Sequence, residues 1–213
     1  MKPQELVTKL HWLGHDSFRL DGPPVIYFDP WKLHGKQVPA DLVLISHDHY
    51  DHCSPDDVKK VRGPKTLIVG STGVAAKLPG AQEIKPGERL TAAGIDIEAV
   101  AAYNLTKFRS PGVPFHPKGA QHVGYIVTVG GVRLYFAGDT DQIPEMATIA
   151  CDVALLPVSG IYVMTAEEAA TAAHTLKPQI VVPMHIGAGI GTERDGLRFK
   201  ELYGGKVVNL KME

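Results

Sequence analysis

Ser46-His47-Asp48-His49-Tyr50-Asp51-His52 decides how this chain is read. Just before it, Leu42–Ile45 is a short apolar run with the character of a buried strand. Just after it, Ser54-Pro55-Asp56-Asp57 offers a cap, a proline at the first helical position and acids in the first turn. These predict a short helix over 55–61. A loop pinned between a strand and a helix can make its side chains converge. His47 and His49 lie two apart and can point the same way as the loop leaves the strand. Asp51 and His52 follow half a turn on. One imidazole pair can thus serve one cation, and one carboxylate–imidazole pair a second.

Two later segments repeat the order of strand, then ligand. Tyr135-Phe136-Ala137-Gly138-Asp139-Thr140 puts an aspartate after a hydrophobic strand, with Gly138 allowing close backbone approach. Val181-Val182-Pro183-Met184-His185 does the same with a histidine. A carboxylate can bridge two cations, and an imidazole completes one coordination sphere. Alone, an aspartate after a strand is more often a helix cap. Beside the first motif it is read as a ligand, because that motif needs partners from other strands.

Working outward, β-branched runs bounded by Gly, Pro and Asp predict strands at 9–13, 17–20, 25–28, 42–45, 66–69, 84–85, 89–91 and 95–101. Further helices are predicted over 73–78, from the capping box Thr165-Ala166-Glu167-Glu168 to before Pro178, and over 194–202. Val123–Val129, Gly130-Gly131 and Val132–Phe136 read as a hairpin, and strands follow at 153–157 and 180–183. Residues 104–121, with Pro111, Pro114 and Pro117, read as one long loop. Two strand-rich halves, each with helices, predict a β-sandwich covered by helices on its outer faces.

The 213 residues suit one domain over 1–213. With 22 basic and 23 acidic residues the net charge is -1, which argues against a long nucleic acid as partner. Two cysteines, Cys53 and Cys151, exclude a disulfide framework. No run approaches membrane-spanning length, so a cytoplasmic protein without membrane contact is expected. Ten histidines are unusual, and histidine is the commonest metal ligand.

The motif His47-x-His49-x-Asp51-His52, the Ala137-Gly138-Asp139-Thr140 segment, Pro183-Met184-His185, Trp12-Leu13-Gly14-His15 and Phe28-Asp29-Pro30 together resemble the metallo-β-lactamase superfamily. Within it, the chain looks closest to small metal-dependent hydrolases related to ascorbate-6-phosphate lactonase. The resemblance implies an α+β, αβ/βα four-layer sandwich with two mixed β-sheets and helices on the outer faces. It implies that His47, His49, Asp51, His52, Asp139 and His185 are metal ligands, and that His15 stands near the metals. Zinc or manganese is the implied metal, at one or two ions per chain. The donor set is all nitrogen and oxygen, so iron and nickel also suit it.

In that superfamily a mid-chain histidine completes the first metal site, and here Asn104 stands in its place. His116 on the long loop is the expected substitute. Asn104 itself, through oxygen or water, and His122 are the other candidates. The implied chemistry is attack by a metal-activated hydroxide, oriented by Asp51, on a small ester, lactone or phosphate-containing metabolite. Lys107, Arg109 and Lys118 could grip an acidic substrate or be a solvated basic loop, and Tyr162 could reach the pocket. A phosphodiesterase or nuclease-type hydrolase, a mononuclear iron oxygenase and a non-catalytic metal-binding relative are the competing readings.

Overall fold

The computed structural model describes residues 1–213. A short helix, α1 (Pro3–Val7), leads into β1 (Leu10–Gly14), β2 (Ser17–Leu20), β3 (Ile26–Phe28) and β4 (Ala40–Ile45). Then come α2 (Pro55–Val61), β5 (Arg62–Gly70), α3 (Thr72–Lys77) and β6 (Gln82–Glu83). These six strands form one sheet in chain order, antiparallel through β3 and parallel from β3 to β6.

The second half supplies β7 (Arg89–Ala92), β8 (Ile95–Ala101), a small hairpin of β9 (Phe108–Ser110) and β10 (Val113–Pro114), β11 (Val123–Val129) and β12 (Val132–Phe136). It closes with β13 (Val153–Pro157), α4 (Ala166–Leu176), β14 (Ile180–Met184) and α5 (Glu193–Tyr203). The second sheet runs β14-β13-β12-β11-β8-β7, parallel over its first three strands and antiparallel over the rest.

Period-two alternation explains the layers. In β4, Leu42 and Leu44 join the large apolar cluster shared with Phe18, Phe28, Tyr125, Tyr135 and Phe136. Phe28 stacks on Phe136 from the opposite sheet with centroids 5.1 Å apart. Val43 and Ile45, on the other face of β4, pack with Val58 and Val61 of α2 and Val74 of α3. On the second sheet β13 and β14 are buried at every position, as parallel strands covered on both faces must be. Ala169, Ala172 and Ala173 of α4 and Phe199 of α5 supply that cover. The result is the four-layer sandwich of two mixed sheets with outer helices.

Three local expectations need correction. The pairing strand predicted at 84–85 lies at Gln82–Glu83, because those residues, not Ile84, bridge to Val69 and Gly70. The predicted loop 104–121 contains the β9–β10 hairpin, a two-strand unit too short and exposed to signal itself. The helix α1, only five residues long, was not predicted at all. No helix is long and apolar enough to cross a membrane.

Candidate metal centre

Every implied ligand leaves the sandwich at one edge. The Ser46–His52 loop follows β4, Asp139 follows β12, and His185 follows β14 at a left-handed φ of 58°. Gly138, at φ 63°, lets that turn approach, because a Cβ there would stand 3.1 Å from both Ser46 Cβ and the Val123 carbonyl. The Val123 amide donates to the Ser46 carbonyl at 3.1 Å, fastening the two sheets beside the site.

His47, His49 and His116 present donor atoms within 4.8 Å of one another. His116, the expected substitute for a mid-chain histidine, therefore stands with His47 and His49. Asn104 is its support. The Asn104 side-chain oxygen accepts from the His116 amide at 2.8 Å and from His116 Nδ1 at 2.9 Å. Asp141 in turn holds Asn104 Nδ2 at 3.1 Å and the amides of Leu105 and Thr106 at 2.7 Å. His122 packs on His47, with ring centroids 4.8 Å apart, and its Nε2 lies 3.9 Å from Asp48. Its donor atoms fall outside the His47, His49, His116 group.

A second group joins His15, Asp16, His52 and His185, again within 4.8 Å. Asp139 stands between the two groups. Its Oδ2 is 3.2 Å from His116 Nε2 and 3.4 Å from His185 Nε2, and its Oδ1 is 3.4 Å from His52 Nε2. Asp51 Oδ2 is 3.5 Å from His15 Nε2. The residues named from the sequence are thus brought together: His15, His47, His49, Asp51, His52, His116, Asp139 and His185.

The supporting hydrogen bonds fix which ring nitrogen is free. His52 Nδ1 donates to Asp29 Oδ2 at 2.7 Å, and the Ser46 hydroxyl donates to the same carboxylate. The Ser46 oxygen can then accept from His47 Nδ1 at 2.9 Å. Ser159 Oγ lies 2.8 Å from His185 Nδ1. In each case Nδ1 is engaged and Nε2 faces the centre. The Nε2 atoms of His47, His52 and His185 and Oδ1 of Asp139 are buried and have no hydrogen-bond partner. Buried polar atoms are nearly always partnered, so a converging set of orphaned imidazole nitrogens and carboxylate oxygens fits bound cations. Asp29 also falls within reach of His47 and His52. Its oxygens are already taken by Ser46 and His52, which makes it a support and not a ligand.

The electrostatics follow the same layout. Burial pushes His47 well below the ordinary histidine range and lowers His49. Burial also lowers His15 and His122, each to about 4. Burial opposes the charge on Asp139, but His52, His185 and His116 outweigh it and hold the carboxyl well below its usual range. Asp51 is likewise held at about 2, since contact with His15 overcomes its partial burial. Cys53 is buried and pushed up to about 11, consistent with a packing role.

A cleft of about 340 Å³ opens onto this edge, lined by His49, Tyr50, Asp51, Arg109, Phe115, His116, Asp139 and Tyr162. Tyr162 therefore does reach the pocket. Lys107 and Lys118 do not serve it as free cations. Lys107 pairs with Glu168 at 2.7 Å, and Lys118 with Glu145 at 2.8 Å. Two important residues escaped the sequence reading. Asp29 entered only as part of the resemblance, and Asp16 had no role. A signal existed for Asp16, an acid directly beside His15 at the mouth of a β-turn, but one acid in a turn is ordinary.

A family model described as "Beta-lactamase superfamily domain" matches residues 9–185. The chain belongs to the metallo-β-lactamase superfamily. The match covers the motifs on which the resemblance rested. A UPF0173 metal-dependent hydrolase of Thermococcus kodakarensis is 34% identical, over 94% of this chain and 94% of that protein. Another, from Thermoplasma volcanium, is 30% identical over 92% and 91%. A crystal structure from Parabacteroides distasonis superposes with a TM-score of 0.83 at 32% identity, covering 96% of this chain and 93% of that one.

Proposed function

We propose that this member of the superfamily is a metal-dependent hydrolase of a small ester, lactone or phosphate-containing metabolite, holding two divalent cations, zinc or manganese. The observation that carries it is the pair of buried donor groups, His47/His49/His116 and His52/His185 with their carboxylates, sharing Asp139. The relatives' name, metal-dependent hydrolase, supports the same class. Bound cations would lower the pKa of a water and polarise the scissile oxygen.

The chain's own residues do the rest. Asp139, ionised between three imidazoles, holds the two sites in register. Asp51, ionised and steadied by His15, accepts a hydrogen bond from the attacking water and so aims it. Phe115 and Tyr162, with ring centroids 4.5 Å apart, line the cleft. Arg109 lies over Phe115 at 5.7 Å and forms no ion pair, so it can meet a carboxylate or phosphate with a bidentate fork.

Metal analysis joined to a hydrolysis panel tests this. Purified wild-type protein should carry close to two equivalents of divalent metal and cleave lactones, phosphodiesters or esters, with anionic substrates preferred over neutral ones. His49→Ala and Asp139→Ala should lose metal while retaining a wild-type circular dichroism spectrum. Full metal content in either variant would show that the ligand assignment is wrong. A single iron with oxygen consumption would instead point to an oxygenase.

A further inference from the structure

We propose that Asp16 is a ligand of the second cation, which makes that site richer in oxygen than the first; the inference rests on the two-cation reading above. Asp16 is fully buried, and neither carboxylate oxygen has a hydrogen-bond partner. A buried carboxylate left unpaired costs several kcal/mol, so such a group needs a compensating charge. No lysine or arginine supplies it. Its neighbours are instead the Asp139 carboxylate, which adds to the charge, and His15, His52 and His185, whose donor atoms and its own all lie within 4.8 Å. His52 Nδ1, the nearest ring nitrogen at 4.0 Å, already donates to Asp29.

The contrast with Asp29 is informative. Asp29 is equally buried, but it accepts from the Ser46 amide at 2.7 Å, from the Ser46 hydroxyl and from His52. One buried carboxylate of this edge is saturated by protein donors, and the other is left bare against the metal-binding imidazoles.

The backbone holds Asp16 there. It sits in the tight turn from β1 to β2, where Gly14 and His15 have φ of 104° and 53°. The His15 amide donates to the Ile186 carbonyl at 3.0 Å, and Trp12 Nε1 donates to the His15 carbonyl at 3.0 Å. The turn is thereby tied to the segment that carries His185. A non-glycine residue at positive φ is costly and persists where the surroundings dictate it.

With Asp16 included, the second cation is offered His52, His185, Asp51, Asp139 and Asp16. The first is offered His47, His49, His116 and Asp139. Carboxylate oxygen favours harder cations and imidazole favours borderline ones. The second site should therefore be the one that takes manganese in competition with zinc.

The test titrates Mn²⁺ and Zn²⁺ separately into metal-free protein, comparing wild type with Asp16→Asn by calorimetry and by manganese electron paramagnetic resonance. Asp16→Asn should bind its first equivalent as wild type does and lose at least tenfold in manganese affinity at the second. Zinc should lose less. The metal-free variant should also melt no lower than metal-free wild type, because no hydrogen bond to the Asp16 carboxyl is lost; a purely structural Asp16 predicts a lower melting temperature. Asp16→Ala serves the same comparison if the asparagine variant folds poorly. Two equivalents in both proteins, at equal affinity and equal Mn/Zn preference, would overturn the role of Asp16 alone. Fewer than two equivalents in wild type would overturn the two-cation reading and this inference with it.

Discussion

Asn104 shows how a departure from a family pattern can be resolved by geometry. Standing where a histidine is usual, it bears on the proposed first site by holding His116 through its side-chain oxygen. Its oxygen accepts from His116 Nδ1, which leaves Nε2 to face His47 and His49. Such outer partners typically matter 10–100-fold for metal affinity. Asn104→Ala should therefore weaken binding of the first cation by roughly 10–100-fold. His116→Ala should weaken it further, and His122→Ala least, as measured by competition with a chromophoric chelator. Wild-type affinity in His116→Ala would remove that residue from the site. The converging residues proposed as ligands were legible because they are dense in sequence or follow apolar strands. Asp16, Ser46 and Ser159 were not, because a lone acid or hydroxyl in a turn has many ordinary uses.

At the scale of elements, the helix α2 connects the ligand loop to the rest of the fold, and Asp57 anchors it. Ser54 Oγ caps the Asp57 amide at 3.3 Å. The Asp57 carboxylate accepts from the amides of Lys32 and Leu33 at 2.9 and 3.0 Å, from Ser54 Oγ at 2.7 Å and from Lys60 at 2.8 Å. Burial works against its charge, but Lys60, Ser54 and the two amides outweigh it and lower its pKa. The unfolded chain therefore binds this proton more readily than the folded one. The resulting stability is complete above the ordinary aspartate range, near about 3.9, and is lost as pH falls through the lower folded value. Asp57→Asn should cost about 1–3 kcal/mol at pH 7 and clearly less at acid pH, once the folded-state carboxyl is protonated, by urea unfolding at each pH. An equal cost at both would refute the charge as the cause. This cap was readable from Ser54-Pro55-Asp56-Asp57, and most strands were readable from β-branched runs. The β9–β10 hairpin was not, because Phe108–Ser110 is exposed throughout and buries no periodic face.

For the molecule as a whole, the order of layers was legible from strand-rich halves with interspersed helices, but the meeting of five chain segments at one edge was not. That meeting is set by which sheet edge each strand leaves, a property of topology and not of local sequence. It also has a thermodynamic consequence. Without cations, Asp16 stands unpartnered beside Asp139, among orphaned imidazole nitrogens in a buried space. Each cation that binds only the folded chain stabilises it by about 2.7 kcal/mol when present at a hundredfold excess over Kd. For a chain of this size each kcal/mol moves Tm by about 2–4 °C. Chelation should therefore lower Tm by roughly 5–11 °C for each cation removed, and manganese or zinc should restore it in a concentration-dependent way. The Asp139→Ala variant should show a much smaller response, since it serves both sites. If wild-type protein, verified free of metal, melts at the same temperature as the loaded form, the converging donors do not hold cations in the native state.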